Sequence, residues 1–275
     1  MLAVIIGAAL HASWNALVKS GSDPFLDTVS VATCVAAVTG IVVAFLPVPL
    51  EGSWLCLIAS VMIHVAYYAF LVLAYRGGDL SLVYPIMRGT APAFTAVLAT
   101  ALLNEWPTWG GWTGVFLVSG GVLLLTADSP RSKGVRLAPV VYALLNAGVI
   151  VGYTLVDGVG ARLSGNAFSY TGWMLLLTGV LVFAISLALR GRQVTDHVLS
   201  QWKKGALGGT CTFASYSLAL WAMTKAPIAP VAALRETSII FSTLLALFVL
   251  KERITTLRYV SIAIVTAGAI AIKVF

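Results

Sequence analysis

Two arginines, Arg88 and Arg235, stand inside long apolar stretches of this chain and are followed by matching residues at equal spacing. Glu105 follows the first at the interval at which Glu252 follows the second. An arginine within membrane hydrocarbon costs about 2.5–3.5 kcal/mol on insertion scales unless it finds a partner. The chemistry that the pair offers is binding of a carboxylate or a phosphonate-like group. Two copies of one unit, each with an intramembrane arginine, predict a duplicated transporter with a polar site between its halves.

Other polar and aromatic side chains fall on helix faces that could meet these arginines. His11, Asn15 and Lys19 recur every four residues and share one face, with Trp14 beside it. Three later apolar segments carry similar sets: His64, Tyr67 and Tyr68; Asn146, Tyr153 and Asp157; and Thr212, Ser215 and Tyr216. The predicted substrate-binding residues are Arg88, Arg235, Glu236, Trp14, Asn15, His11, His64, Tyr68, Tyr84 and Tyr216.

A structural role for the same residues stays open. Arg235 has Glu236 next to it and could form a salt bridge, whereas no acid lies near Arg88 in the sequence. Single polar groups inside a bundle more often join helices than bind a ligand. Pro92 removes the amide that would bond the carbonyl of Arg88, so the fourth segment is expected to open around this arginine. Ile239 takes the corresponding place in the second half, so we expect the halves to be unequally distorted.

Some further residues have simpler expectations. His11 and His64 are candidates for carrying a coupling proton, because histidine titrates in the physiological range. The three cysteines show no spacing typical of a disulfide or a zinc site, so no cofactor and no metal are expected. Glu105 and Glu252, at the ends of their segments, are expected to cap the next helix or to reach lipid headgroups.

Composition places the chain in a membrane. Of its 275 residues, 60% are hydrophobic and 10% are charged, and the mean hydropathy is +0.97. A soluble domain has too much surface to hide this many apolar side chains. The net charge of +7 does not indicate nucleic-acid binding, because most Lys and Arg lie in short loops between apolar segments, where they orient membrane proteins.

Ten apolar runs are long enough to cross the bilayer, since a spanning helix needs roughly 17–25 mostly apolar residues. They are 2–18, 27–46, 54–75, 82–103, 109–127, 137–157, 168–189, 205–223, 230–250 and 256–273. The polar connection from Asp128 to Arg136 predicts one repeat over 1–128 and a second over 137–275. Because five crossings are an odd number, the second repeat is turned over relative to the first. We therefore expect an all-α integral membrane protein with ten transmembrane helices in two inverted five-helix repeats.

Loop charge predicts which side faces the cytoplasm. The connections after the first, third, fifth, seventh and ninth runs carry most of the basic residues, and the termini and remaining connections carry few. By the positive-inside rule these connections are cytoplasmic, which leaves both termini outside.

In these features the chain resembles the drug/metabolite transporter superfamily, and within it the EamA type of ten-helix permease with two five-helix repeats. The resemblance covers essentially the whole length, and its more specific residues are Pro92, Glu105, Gly114 and Gly121 with the echo Glu252 and Gly268. Residues 10–15 (LHASWN) and 84–89 (YPIMRG) resemble a bacterial branch sometimes associated with phosphonate use. The resemblance implies export of amino acids or other metabolites and a multi-pass place in the bacterial inner membrane. It also implies both termini in the cytoplasm, against the loop charges.

The sequence thus predicts a secondary transporter of a small anionic or zwitterionic metabolite, such as an amino acid, an organic acid or a phosphonate, working by alternating access. The two arginines would bind the anionic group in a central cavity. A cationic-drug exporter is the alternative, and it needs an acid deep in the membrane without a basic neighbour. A non-transporting assembly protein would not explain polar faces repeated in both halves. No GxSxG, HExxH or paired-acid pattern occurs, so no enzyme is expected.

The expected partners are a small-molecule substrate, the lipid bilayer and a coupling proton. No nucleic acid is expected. A monomer and a homodimer are both compatible with the sequence.

Overall fold

The computed structural model describes residues 1–18, 23–75, 80–128, 137–248 and 255–274, and it contains no strand in these ranges. Twelve α-helices follow one another in the described chain: α1 (Leu2–Val18), α2 (Pro24–Val43), α3 (Trp54–Tyr75), α4 (Leu80–Leu103), α5 (Trp109–Leu124), α6 (Leu137–Leu163), α7 (Ala167–Arg190), α8 (Arg192–Ser200), α9 (Trp202–Met223), α10 (Ile228–Arg235), α11 (Ser238–Phe248) and α12 (Thr256–Val274). Short 3-10 turns precede α3 and follow α5.

Eight helical stretches in the described part of the chain are long and apolar enough to cross a membrane. They correspond to the second to seventh, ninth and tenth predicted runs, with α10 and α11 together forming the ninth. The first and eighth runs form α1 and α9. The largest difference in a boundary is at α6, which continues to Leu163 and not to residue 157, and the additional short helix α8 lies between the seventh and eighth runs.

Helix starts follow local sequence signals. The carboxylate of Asp23 accepts hydrogen bonds from two amides in the first turn of α2, at 2.9 and 3.2 Å, and Pro24 begins that helix. Asn166 caps α7 through two amides at 3.0 and 3.1 Å, and Thr108 caps α5 through one at 3.0 Å. These side chains satisfy amides that the first turn of a helix leaves unbonded.

The interruption of a spanning segment lies in the second half of the chain. The fourth segment forms one helix, α4, despite Pro85 and Pro92, so the expected opening does not break it. The ninth segment instead ends as α10 at Arg235, turns through Glu236 and Thr237, and resumes as α11. The amides of these two turn residues bond carbonyls three residues back, at 3.0 and 3.2 Å, in the tighter 3-10 manner. The halves differ, but in the opposite sense from that expected from proline.

The helices pair in matched sets. α2 packs on α7 and α5 packs on α12; α3 packs on α6 as α1 packs on α9; and α4 packs on α6 as α11 packs on α1. In chain order, the helices α1, α2, α3, α4 and α5 correspond to α6, α7, α9, α10 with α11, and α12. When each helix is replaced by its counterpart, every pairing above becomes either itself or another pairing of the set. Gly114 and Gly268 mark the contact of α5 with α12, where a Cβ on Gly268 would lie 2.8 Å from the carbonyl oxygen of Gly114. Only glycine permits this approach.

Candidate substrate-binding site

A salt bridge joins the two halves inside the bundle. The Nε of Arg88 on α4 donates to Oε2 of Glu236 at 3.0 Å, and its Nη2 lies 2.8 Å from Oε1. Both side chains are 9% exposed. Two parallel contacts with one carboxylate form the bidentate geometry in which arginine binds most strongly. This partner offsets much of the cost of burying the guanidinium.

Glu236 reaches Arg88 from the turn between α10 and α11. The sequence offered Arg235 as the partner of Glu236, because the two are adjacent. The structure does not realise this possibility, which the sequence had left open, since the carboxylate hydrogen-bonds Arg88, 148 residues away. Consecutive residues of a helical segment do not face each other, so adjacency is poor support for a salt bridge.

Arg235 has a different environment at the end of α10. Its guanidinium carbon lies 4.8 Å from the centre of the Tyr216 ring, a cation–π contact. The side chain is partly exposed. Among the residues that the structure describes, Arg235 forms no salt bridge. No carboxylate of the described ranges therefore occupies its N–H donors, the groups with which a guanidinium binds an anion.

Asp157 on α6 is a fully buried carboxylate held by two tyrosines. It accepts a hydrogen bond from the hydroxyl of Tyr170 on α7 at 3.0 Å and another from the hydroxyl of Tyr216 on α9. Gly160 leaves room for the Tyr170 ring, because a Cβ there would lie 2.5 Å from the hydroxyl oxygen. Tyr216 thus contacts Asp157 through its hydroxyl and Arg235 through its ring face.

An aromatic cluster, formed by His64, Tyr67, Tyr153 and Tyr216, lies beside these charged groups. His64 stacks on Tyr153 with ring centres 4.4 Å apart and meets Tyr216 edge-on at 6.0 Å. Tyr67 meets Tyr153 edge-on at 5.9 Å. The Nδ1 of His64 lies 3.0 Å from the carbonyl oxygen of Ser60, a contact within α3. Rings and guanidinium together could hold a small solute that has an apolar part and an anionic group.

Two other predicted residues lie near the arginines. Tyr84 on α4 is close enough to Arg88 and Glu236 for their charges to act on its hydroxyl. His11 on α1 is within range of the charges of both arginines. The structure therefore brings His11, His64, Tyr84 and Tyr216 together with the charged residues.

The remaining predicted residues either lie away from the arginines or have side chains outside the part of the chain that the structure describes. Tyr68 packs edge-on against Tyr67 at 5.3 Å and against an apolar cluster of α2, α7 and α8. Of this pair, Tyr67 is the one whose ring contacts the aromatic cluster at Tyr153. The side chains of Trp14 and Asn15 lie outside the part that the structure describes.

Sequence reasoning left three residues, Asp157, Tyr153 and Tyr67, out of the predicted site. The polar face of the sixth run contained the first two, so a signal for them was present. Choosing between adjacent tyrosines on α3 requires the rotation of that helix in the bundle, which the sequence does not show. No group of three His, Cys, Asp or Glu suited to a metal ion occurs in the described residues.

Glu105 joins helix ends from both halves. Its Oε2 accepts a hydrogen bond from the amide of Ile228, the first residue of α10, at 2.8 Å. Its other carboxylate oxygen pairs with Arg162 at the end of α6. Arg162 also donates to two carbonyls at and beyond the end of α9, at 2.8 and 3.0 Å. Glu105 thus caps α10 in place of the expected next helix, and its counterpart Glu252 lies outside the described residues.

A salt bridge connects α2 with α7, and a hydrogen bond connects α2 with α8. Nη1 of Arg190 lies 2.6 Å from Oδ2 of Asp23, and Nε2 of His197 lies 3.0 Å from Oδ1 of Asp27. Burial raises the pKa of Asp23, but hydrogen bonds from Arg190 and from two backbone amides outweigh it and bring this pKa below its ordinary value. These residues stabilise helix ends away from the arginine site.

Comparison with known families identifies the class of protein as a membrane transporter. The family model of EamA-like transporters matches residues 1–127 and again residues 138–274. The chain belongs to the EamA-like transporter family of the drug/metabolite transporter superfamily.

One solved structure, described as "Crystal structure of protein", is similar over 98% of this chain and 95% of its own, with a TM-score of 0.74 and 16% sequence identity. At this identity the likeness concerns the fold. The comparison with curated proteins gave no match.

Proposed function

We propose that the protein is a secondary transporter that exports a small anionic or zwitterionic metabolite by alternating access through a cavity between its halves. Arg235 carries the proposal, because its guanidinium is partly exposed beside the aromatic cluster and has no carboxylate partner among the described residues. Amino acids, organic acids and phosphonates present the anionic group that such a guanidinium binds in bidentate fashion. The proposed location is the bacterial inner membrane.

Arg88 has a second role in this proposal. Two of its N–H groups already bind Glu236, so an incoming anion must compete with that carboxylate. Because the pair connects α4 with the turn after α10, its exchange for a substrate would loosen one contact between the halves. Alternating access requires contacts of this kind, which form in one state and break in another.

The proposal includes ten spanning helices in two inverted repeats, 1–128 and 137–275. The matched helix pairings support it, since each pairing has a counterpart when the halves are exchanged. The two separate family matches support it as well.

A cationic-drug exporter is a second candidate, and one observation favours it. Asp157 is an acid inside the bundle that bonds two tyrosine hydroxyls and forms no salt bridge with any described residue. It is 0% exposed, however, so a bulky cation could reach it only after Tyr170 or Tyr216 moved. Arg235 is open without such a movement, and the anion transporter is therefore preferred.

The test is a screen of purified protein against amino acids, organic acids, phosphonates and organic cations, by thermal shift and by uptake into proteoliposomes. We expect a saturable anion whose affinity falls about 10- to 100-fold in Arg235→Gln, because charge-assisted hydrogen bonds contribute about 1.5–3 kcal/mol. Arg192→Gln, which removes an exposed arginine from α8, is the matched control and should leave the affinity unchanged. Undiminished transport of every anion by Arg235→Gln would refute the proposal. Saturable transport of a cation, lost in Asp157→Asn, would establish the second candidate.

A further inference from the structure

Asp157 is a charged group that anion binding at Arg235 does not require. It is 0% exposed, and both of its oxygens accept hydrogen bonds, one from Tyr170 and one from Tyr216. No salt bridge joins it to a basic side chain in the described ranges. A buried carboxylate is costly unless a cation or a proton neutralises it, and ionisable residues inside membranes commonly mark ion or proton pathways.

The groups around Asp157 come from α3, α4, α7, α9 and α10, which all pack on α6, and from the turn after α10. Tyr170 on α7 and Tyr216 on α9 bond it directly. From α3, the charge of Asp157 acts on His64 and Cys56. The more distant charged groups, which act on the neighbouring tyrosines, are Arg235 on α10, Arg88 on α4 and Glu236 on the turn after α10.

We propose that Asp157 is the site of a coupling proton, taken up when the anion binds at Arg235 and released when the anion leaves. This inference rests on the proposed anion transport. A metal cation requires several oxygen ligands, and an organic cation requires space. Both oxygens of this enclosed carboxylate already accept hydrogen bonds from tyrosine hydroxyls, whereas a proton needs one oxygen only.

Tyr216 connects the two sites physically. Its hydroxyl donates to Asp157 while its ring lies under the guanidinium of Arg235. An anion bound at Arg235 and an ionised Asp157 would be two negative charges on opposite sides of the Tyr216 side chain. At the effective dielectric constant of about 20 that suits protein sites, such a repulsion weakens anion binding about tenfold.

The sign of the coupling follows. Protonation of Asp157 removes the repulsion, so anion affinity increases as the pH falls. By thermodynamic reciprocity, anion binding must draw a proton onto the protein by the same factor. Proton and anion are therefore bound and released together. The histidines named from the sequence, His11 and His64, would then tune the site without carrying the coupled proton.

The first experiment needs no substrate. Infrared spectra of the purified protein in lipid are recorded over a pH series, and the band of protonated carboxyl groups is followed. We expect a titrating band that disappears in Asp157→Asn and persists in Asp196→Asn, the matched control, which removes an exposed carboxylate from α8. If the band titrates unchanged in Asp157→Asn, or if no carboxyl titrates while the protein stays folded, the inference is wrong. Gel filtration of each variant identifies those that fail to fold, and Asp157→Glu, which keeps a carboxyl, supplies a second variant.

The second experiment uses methylphosphonate as the probe anion, with a pH indicator in weakly buffered solution. The wild type should take up protons on binding and bind about tenfold more tightly as the pH falls, whereas Asp157→Asn should bind without proton uptake. Proton uptake lost in His64→Gln or His11→Gln but kept in Asp157→Asn would overturn the assignment, as would sodium dependence in place of pH dependence. If methylphosphonate and the screened anions do not bind at all, the transport proposal fails, and the infrared experiment still decides whether Asp157 titrates.

Discussion

Arg88 and Arg235 occupy matching positions in two similar stretches of sequence, and the fold gives them unlike neighbours. Arg88 is held by two contacts with Glu236, whereas Arg235 rests over the ring of Tyr216. Arg88 is therefore paired with an acid inside the bundle, whereas Arg235 forms no salt bridge with any residue that the structure describes. The same residue type at two matching positions of the sequence therefore meets different neighbours in the fold.

One position accounts for much of this difference. The residue after Arg235 is Glu236, and the residue after Arg88 is Gly89. Gly89 packs against α5 so closely that a Cβ would lie 2.8 Å from Cγ of Leu123. A side chain there would collide with Leu123, and of these two positions only the one after Arg235 carries an acid.

The largest expected effect is a difference in stability between variants of the two arginines. Arg88→Gln removes the cation that hydrogen-bonds the buried carboxylate of Glu236, so the free energy of unfolding should fall by about 3–5 kcal/mol. Arg235→Gln loses a cation–π contact and should cost about 1 kcal/mol. Thermal unfolding of the purified variants measures both. Equal losses would show that the two arginines do not differ in role.

The salt bridge itself is tested by a double substitution. Arg88→Gln combined with Glu236→Gln removes both charges, so the double variant should recover part of the loss caused by either change. We expect a coupling energy of about 2–3 kcal/mol, at the upper end for residues of one network. Losses that simply add would mean that the pair contributes little.

The close contact at Gly89 predicts a smaller effect. Gly89→Ala forces Leu123 and its backbone to move and should destabilise the protein by about 1–3 kcal/mol. Gly120→Ala is the matched control, because a Cβ at Gly120 meets nothing within 4 Å. A Gly89→Ala variant as stable as the control would remove the steric explanation for the asymmetry.

The smallest expected effect is the loss of stability on breaking the salt bridge of Asp23 and Arg190, which is more exposed than that of Arg88 and Glu236. Asp23→Asn should cost about 0.2–1 kcal/mol near neutral pH, since the pair is screened by water. The lowered pKa of Asp23 means that its contribution is complete above the ordinary pKa of about 4 and is lost as the pH falls through the folded-state value. Unfolding of wild type and variant over a pH series should therefore converge in acid. A difference that persists there would contradict this role.

Local signals made the helices predictable. Apolar runs bounded by residues such as Asp23 and Asn166 determine where helices begin, because their side chains bond the first amides. The turn at Glu236 was not predictable, since no proline or glycine marks it. The partner of Arg88 was not predictable either, because it depends on how α4 meets a residue 148 positions away.

Some residues of the candidate site were predictable from local sequence, and their contacts with other helices were not. Membrane arginines and aromatic residues are visible in the sequence as costly or repeated features, and these predicted Arg88, Arg235 and Tyr216. The contact between Tyr216 and Asp157 requires the relative rotation of α6 and α9, which the spacing within either helix does not determine.

The hydrogen bond from Ile228 to Glu105 has a mechanical consequence. α10 has eight residues and is about 12 Å long, at 1.5 Å per residue. Glu105, paired with Arg162, accepts a hydrogen bond from the first amide of α10. The other end of α10 carries Arg235 and is followed by the turn with Glu236. A tilt of α10 at the end held by Glu105 and Arg162 would move Arg235 directly and Arg88 through its bond to Glu236. Glu105 and Arg162 would therefore influence the affinity of the proposed site for its solute without touching that solute.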